Sequence, residues 1–275
     1  MALEQSSEVS SLESCRDMTQ PHTPYPPVAI GCCFYKRFPN YQEIIRSIER
    51  MALNYASEVQ AFIYFSGETE ASAREQLEAL RFENRELFTF QFGPNRVDEP
   101  KYRLPLASQM PFICTLDDDR VFGEDTLTIL MDAYNEIQRI DPRRGRLAPV
   151  GWSGTVIEGA QLMTPVEDRY NLSPRQLQKV DYVGSCGCLY RREILEDERL
   201  RYENWPRYIG YASDVWLSYL VARHHQTSIY ITGLNRVELP EHGHSLWADS
   251  MSEMLPGLVE RLVSYGWKGN VSDVD

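Results

Sequence analysis

Positive charge is scarce in this chain. Its 275 residues hold 28 lysines and arginines against 40 aspartates and glutamates, a formal net charge of -12 at pH 7. A field of that sign does not draw a protein to DNA, RNA or anionic lipid, so a nucleic-acid partner is disfavoured. Long apolar runs are missing as well. No stretch approaches the ~18 residues that suggest a membrane span, and no basic segment leading into an apolar one opens the chain. The expectation is a cytoplasmic protein with no membrane insertion. None of the six cysteines (Cys15, Cys32, Cys33, Cys114, Cys186, Cys188) belongs to a CxxC pair, and three lie in or beside apolar runs, where a reduced thiol packs as a small hydrophobe. That fits a reducing compartment, in which the sequons at Asn171 and Asn270 carry no glycan. No internal repeat is visible. What is present is ordinary for a globular protein: 43% hydrophobic, 25% charged and 11% aromatic residues, enough to bury a substantial core in one large or two modest domains.

Residues 1–26 are rich in Ser, Glu, Pro and Thr without apolar period and read as a mobile tail. Val28 to Phe34 is a short apolar run without polar alternation, as expected of a fully buried strand. Asn40 with Glu43 three residues on signals a helix start, and Tyr41, Ile44, Ile45, Ile48, Ala52 and Tyr55 form its apolar stripe. Val59 to Phe65 predicts a second strand, 71–84 a charged helix, and Phe88 to Phe92 a third strand. An irregular stretch from Gly93 to Pro105 leads to a strand over Phe112 to Leu116. Leu127, Leu130, Met131, Tyr134 and Ile137 then recur at helical spacing. This alternation implies an α/β fold with a mostly parallel twisted sheet flanked by helices.

The second half is less regular. A strand is expected near Val150, and Tyr182 to Tyr190 reads as one strand interrupted by Gly184 and Gly187, where missing side chains let a ligand or backbone come close. A helix from Asp214 to His224, a strand over Ser228 to Thr232 and a helical piece from Met251 to Tyr265 follow. Residues 27–250 are expected to form a single domain, with 251–275 as a C-terminal helical extension.

The acids that follow the fourth strand narrow the function most. Asp117, Asp118 and Asp119 come directly after Phe112-Ile113-Cys114-Thr115-Leu116, so a buried strand aims several negative charges at one point, which is costly unless a cation or protons collect there. Alternation places Asp117 and Asp119 on one face and turns Asp118 away. Two oxygen donors on one face suit Mg2+ or Mn2+. The plainer alternative is a solvated acidic turn. Cys186-Gly187-Cys188 has the form of a redox or metal pair, but no second pair or nearby His accompanies it.

The apolar strand with Asp-x-Asp, the glycine-rich strand ending in Tyr190-Arg191-Arg192, and Ser213-Asp214 opening a helix together resemble the metal-dependent nucleotide-sugar glycosyltransferases of the GT-A fold, over roughly residues 27–247. Arg103-Leu104-Pro105 followed by Leu116-Asp117-Asp118-Asp119 is similar to exostosin-type catalytic domains, while the glycine-rich strand resembles family 2 enzymes. The resemblance implies a single GT-A (Rossmann-like) domain that transfers a sugar from a nucleoside diphosphate sugar, UDP-linked in the first instance, to a hydroxyl of a carbohydrate or other acceptor. By the same resemblance Asp119 would ligate Mn2+ or Mg2+, Asp117 would sit by the ribose and hold a metal-bound water, and Asp118 would contact a donor-sugar hydroxyl. Arg103 would approach the base or phosphate, and the end of the first strand (Cys33, Phe34, Tyr35, Arg37) would contact the base, although core packing is the alternative for Cys33 and Phe34. His244, with His242 beside it in Glu241 to Trp247, would be a further metal ligand. Asp214 would take the acceptor proton, its position in a first helical turn favouring the ionised form. Ser213 stands where a second acid is common, which leaves the stereochemical outcome open. Trp152, Trp205 and Trp216 are sugar-stacking candidates, with core packing the alternative for Trp216.

Other functions share parts of this pattern. A haloacid dehalogenase-type phosphatase wants its Asp-x-Asp on the first strand with a Thr soon after, whereas Arg120 and Val121 follow here. A sugar-phosphate nucleotidyltransferase usually has a Gly-rich loop with Lys and Arg after strand one, and Gly31 is the only glycine from Val28 to Arg37. A catalytically inactive glycan- or nucleotide-binding module of the same fold is the non-enzyme alternative.

Overall fold

The computed structural model describes residues 25–35, 40–67, 70–159, 161–162, 172–209, 211–240 and 252–267. An apolar run without polar alternation leaves a strand no face for solvent, and Val28–Phe34 (β1) is buried along its whole length. In chain order there follow α1 (Tyr41–Asn54), β2 (Val59–Ser66), α2 (Glu70–Ala79), β3 (Phe88–Gly93), α3 (Glu99–Arg103), β4 (Phe112–Leu116), β5 (Arg120–Phe122) and α4 (Thr126–Ile140). The second half supplies β6 (Val150–Gly151), β7 (Gly154–Thr155), β8 (Ile157–Glu158), β9 (Gln161–Leu162), β10 (Gln178–Val180), β11 (Tyr182–Val183), β12 (Cys188–Arg191), α5 (Arg192–Leu195), α6 (Ser213–Arg223), β13 (Ile229–Ile231), β14 (Arg236–Glu238) and α7 (Ser252–Ser264).

Eight strands form the central sheet, in the order β10-β13-β6-β12-β4-β1-β2-β3. β4, β1, β2 and β3 are mutually parallel, as are β13 and β6. β12 runs antiparallel to both its neighbours, and β10 to β13. The result is the mostly parallel α/β sheet expected from the strand and helix alternation. Because side chains alternate along a strand, each strand feeds two cores. Val28, Ile30, Cys32 and Phe34 of β1 join Phe112, Cys114 and Leu116 of β4 under α1 and α4. Ala29 and Ile113 face the other way, into a core built with α6 and with Leu258, Val259 and Leu262 of α7.

Several local expectations need correction. Asn40 does not cap α1 with its side chain; its amide donates to the Asp118 carbonyl at 2.9 Å. The charged helix stops at Ala79 rather than 84, because α1 captures the following backbone. Gln42 bonds both the N–H and the C=O of Arg81, and Glu49 accepts from the N–H groups of Glu83 and Asn84. The stretch 93–105, expected to be irregular, contains α3 and the start of a 3-10 turn, Leu104–Ser108. Tyr182 to Tyr190 is not one strand. β11 pairs with β7 in a separate small sheet, and the chain turns at 184–187 before β12 enters the main sheet. A further pairing, β5 with β14, lies just past the acids and was not expected.

Candidate active site

β4 ends at Leu116, so the three acids lie in the turn between β4 and β5, at the carboxyl end of the parallel strands, where open α/β sheets bind ligands. Asp117 and Asp119 do come together. One carboxylate oxygen of each and the Cys186 sulfur lie within 4.8 Å of one another. Asp118 is turned away as alternation requires, but into the protein. It is 6% exposed, and its Oδ2 accepts the Tyr35 N–H at 2.8 Å, while its carbonyl receives the Asn40 amide. Asp118 therefore ties the end of β1 to the acid turn.

A buried cation beside these acids is Lys101, which the sequence did not single out. It is 1% exposed, and its Nζ lies 2.5 Å from Asp117 Oδ1 and 3.3 Å from Asp98 Oδ2. Burial alone would lower the lysine pKa, but Asp117 and Asp98 outweigh it and hold the ammonium well above its usual value. Gly31 explains how the lysine gets there. A Cβ on Gly31 would lie 2.0 Å from the Lys101 carbonyl oxygen and 2.8 Å from Pro105, so the missing side chain lets α3 sit directly on β1. A lone glycine inside an otherwise unbroken buried strand was the signal that could have revealed this close approach. Beside Asp119 stands Arg120, whose Nη1 is 3.3 Å from Asp119 Oδ1 and whose Nη2 is 3.3 Å from Glu238. Burial acts against the charge of Arg120, but Asp119 and its other acidic neighbours prevail and strengthen it.

Asp214 opens α6 on the same side of the sheet as α3. Its Oδ2 accepts the Tyr182 hydroxyl at 2.5 Å and its Oδ1 the Val215 N–H at 2.8 Å. The helix terminus was expected to favour the ionised form, but burial wins and raises the pKa to about 6, with Tyr182 and Lys101 pulling the other way. Ser213 is not the cap of α6. Ala212 holds that position, and the Ser213 hydroxyl donates to Asp98 Oδ2 at 3.1 Å, next to the Tyr102 hydroxyl at 3.3 Å. Asp98 thus links Lys101 to the start of α6, and the charges of Lys101 and Asp98 both act on Asp214.

Other expected residues lie elsewhere or are packed. Cys33 is buried and its thiol donates to the Val97 carbonyl at 3.5 Å, while Phe34 packs against Tyr41 and Phe65. Arg103 donates to the Leu195 carbonyl at 2.9 Å. Gly184 takes its place through a 3.0 Å bond from its N–H to Ser153. Gly187 has φ +62, and a Cβ there would lie 2.6 Å from the Phe122 ring and 2.8 Å from Trp152, so its missing side chain makes room for those two rings. Trp152 lies under the guanidinium of Arg236 at 3.7 Å, with that of Arg120 at 5.2 Å from its ring centre. Trp216 stacks on Tyr219 in the core, and the Trp205 indole N–H donates to the Leu200 carbonyl. Cys186 and Cys188 do not form a pair, because one belongs to each core. Arg37, His242, His244, Trp247 and residues 1–24 of the expected tail lie outside the described residues.

No family model matches the chain, and no curated protein matches it. Among solved structures, it is similar to the crystal structure of S. aureus TarS 1-349 in complex with UDP, with a TM-score of 0.48 and 12% sequence identity. The likeness covers 76% of this chain and 59% of that one, so the chain spans less than two thirds of that structure's length.

Proposed function

We propose that the protein is a metal-dependent glycosyltransferase that moves a sugar from a nucleoside diphosphate donor, UDP-linked in the first instance, to a hydroxyl of an acceptor. The observation that carries this reading is the convergence of Asp117 and Asp119 at the carboxyl end of β4, beside a buried lysine that electrostatically couples them to Asp214. The donor set suits a divalent cation. Two carboxylate oxygens lie within 4.8 Å of each other, and both residues keep some contact with solvent from which an ion and a phosphate would enter. When bound there by Asp117 and Asp119, such an ion supplies positive charge to the diphosphate as it leaves.

The remaining work falls to the chain's own side chains. Lys101 fixes Asp117 and offsets part of the acid charge, which lowers the repulsion an incoming diphosphate meets. Asp214 is the base. Its ionised carboxylate takes the proton of the acceptor hydroxyl, the hydroxyl oxygen bonds to the anomeric carbon, and the bond from that carbon to the diphosphate oxygen breaks with its electron pair on the departing nucleoside diphosphate. Tyr182 holds the Asp214 carboxylate in orientation through its hydroxyl.

The direct test is release of UDP from UDP-sugars with Mn2+ or Mg2+ present. Asp119→Asn is expected to lower turnover by at least about a hundredfold, the scale of losing a main electrostatic contact to the leaving group, while circular dichroism stays native. Unchanged turnover in that variant, or full turnover in excess chelator, overturns the proposal.

A further inference from the structure

Cys186 stands at the acid cluster without a role in that reaction. It is 5% exposed, makes no hydrogen bond among the described residues, and points its sulfur into the same 4.8 Å group as Asp117 and Asp119. Bonds on either side of it fix its turn. The Thr115 hydroxyl donates to the Ser185 carbonyl, and the Gly187 N–H donates to the Thr115 carbonyl at 2.7 Å. Both anchors are on β4, the strand that carries the acids, so the thiol and the carboxylates share one rigid support. Cys188, two residues on, behaves differently: it is fully buried in the opposite core beside Gly151.

We propose that Cys186 joins Asp117 and Asp119 as a third ligand, making a mixed oxygen and sulfur site that prefers a divalent ion with affinity for sulfur over Mg2+. This deepens the proposed cation site and rests on it, but it does not depend on sugar transfer. Binding is a simple exchange: the sulfur releases its proton to solvent as its electron pair enters the metal shell, with no change of oxidation state. Thiolate donors favour ions such as Co2+, Zn2+ and Cd2+, whereas Mg2+ favours oxygen and water. Within the Mn2+ or Mg2+ expectation, sulfur therefore weighs against Mg2+.

Cobalt provides a readout independent of activity, because a Co2+–thiolate bond gives a near-ultraviolet charge-transfer band that carboxylates do not. The full chain, in a Cys15→Ser background and under a phosphine reductant, is titrated with Co2+ and, separately, with Cd2+ in competition with Mg2+. The expected result is one charge-transfer band per chain, retained in Cys188→Ser, lost in Cys186→Ser, and absent in Asp117→Asn/Asp119→Asn because cobalt no longer binds. Cd2+ affinity should fall at least about tenfold in Cys186→Ser, the scale on which altered metal ligation is felt. Cobalt binding without the band in the otherwise native chain overturns the proposal whatever the variants do, as does a band that survives Cys186→Ser. If the band is present but no sugar donor is turned over, the thiolate site stands and the glycosyltransferase reading falls. Turnover without the band separates the two in the opposite direction.

Discussion

At the scale of single residues, two ionisable groups carry the largest measurable consequences. Lys101 is a buried cation held by Asp117 at 2.5 Å and Asp98 at 3.3 Å. Removing one partner of a buried pair leaves an uncompensated charge, so Lys101→Met is expected to lose about 3–5 kcal/mol of unfolding free energy in urea titration. Adding Asp117→Asn to Lys101→Met should recover part of that loss, because it removes one of the stranded carboxylates. A double variant no more stable than the single one would mean that Lys101 acts through packing alone. Asp214 has the opposite character, a carboxyl pushed up to about 6 from its ordinary 3.8 by burial. If it is the base, kcat/KM should rise with pH through a pKa near 6 and level off above, and Asp214→Asn should remove both the rise and most of the activity. The folded state holds this proton more tightly than the unfolded one. The group's stability contribution is therefore complete below about pH 3.8 and lost as pH rises through about 6. Asp214→Asn is therefore expected to be the more stable protein at pH 8, by at most about 3 kcal/mol. A lower melting temperature there would contradict this account of Asp214.

At the scale of elements, the contact of α3 with β1 decides whether the cluster exists. With a Cβ on Gly31 placed 2.0 Å from the Lys101 carbonyl, Gly31→Ala forces α3 off the strand. Overpacking of this kind typically costs about 1–3 kcal/mol. Because Lys101 rides on α3, the same change should also weaken its hold on Asp117 and reduce donor turnover. Full activity in a stably folded Gly31→Ala protein would show that α3 does not position the site. This element also marks the limit of what the sequence made legible. β1, β4, α1, α4 and α6 announce themselves by buried runs or helical periodicity, and the acids at the tip of β4 stand out against the run that precedes them. α3 has five residues, including a proline and three charged groups, too short for any period to emerge, so Lys101 stayed hidden among residues read as irregular. The failures at α2 and at β11 to β12 share one cause. Long-range bonds from Gln42, Glu49 and Thr115 end or turn those segments, and no local pattern encodes such partners. Asp214 was found by its place at the start of a helix, but the sign of its pKa shift depended on burial that only the folded chain reveals.

At the scale of the whole molecule, the proposed function faces an electrostatic contradiction that it must resolve. The chain carries a net charge of -12, and its candidate donor site is itself lined by Asp98, Asp117, Asp119 and Asp214. A nucleoside diphosphate is an anion, so the global field and the local acids both oppose its entry, and among the described residues Lys101 and Arg120 offset part of that charge. A divalent ion offsets the local negative charge, and binding of ion and nucleotide must then be mutually reinforcing, since linkage is reciprocal. UDP alone, at concentrations up to the millimolar range, should leave the melting temperature almost unmoved. With saturating Mn2+ the same UDP should raise it by mass action, by about 2.7 kcal/mol at a hundred times its dissociation constant, or roughly 5–10 °C for a domain of this size. Duplex DNA should produce no shift with or without the ion, because it meets the full negative field without the shaped site. A UDP shift of equal size in the presence of excess chelator would mean that the lysine and arginine suffice, and the ion-dependent reading of Asp117 and Asp119 would fail.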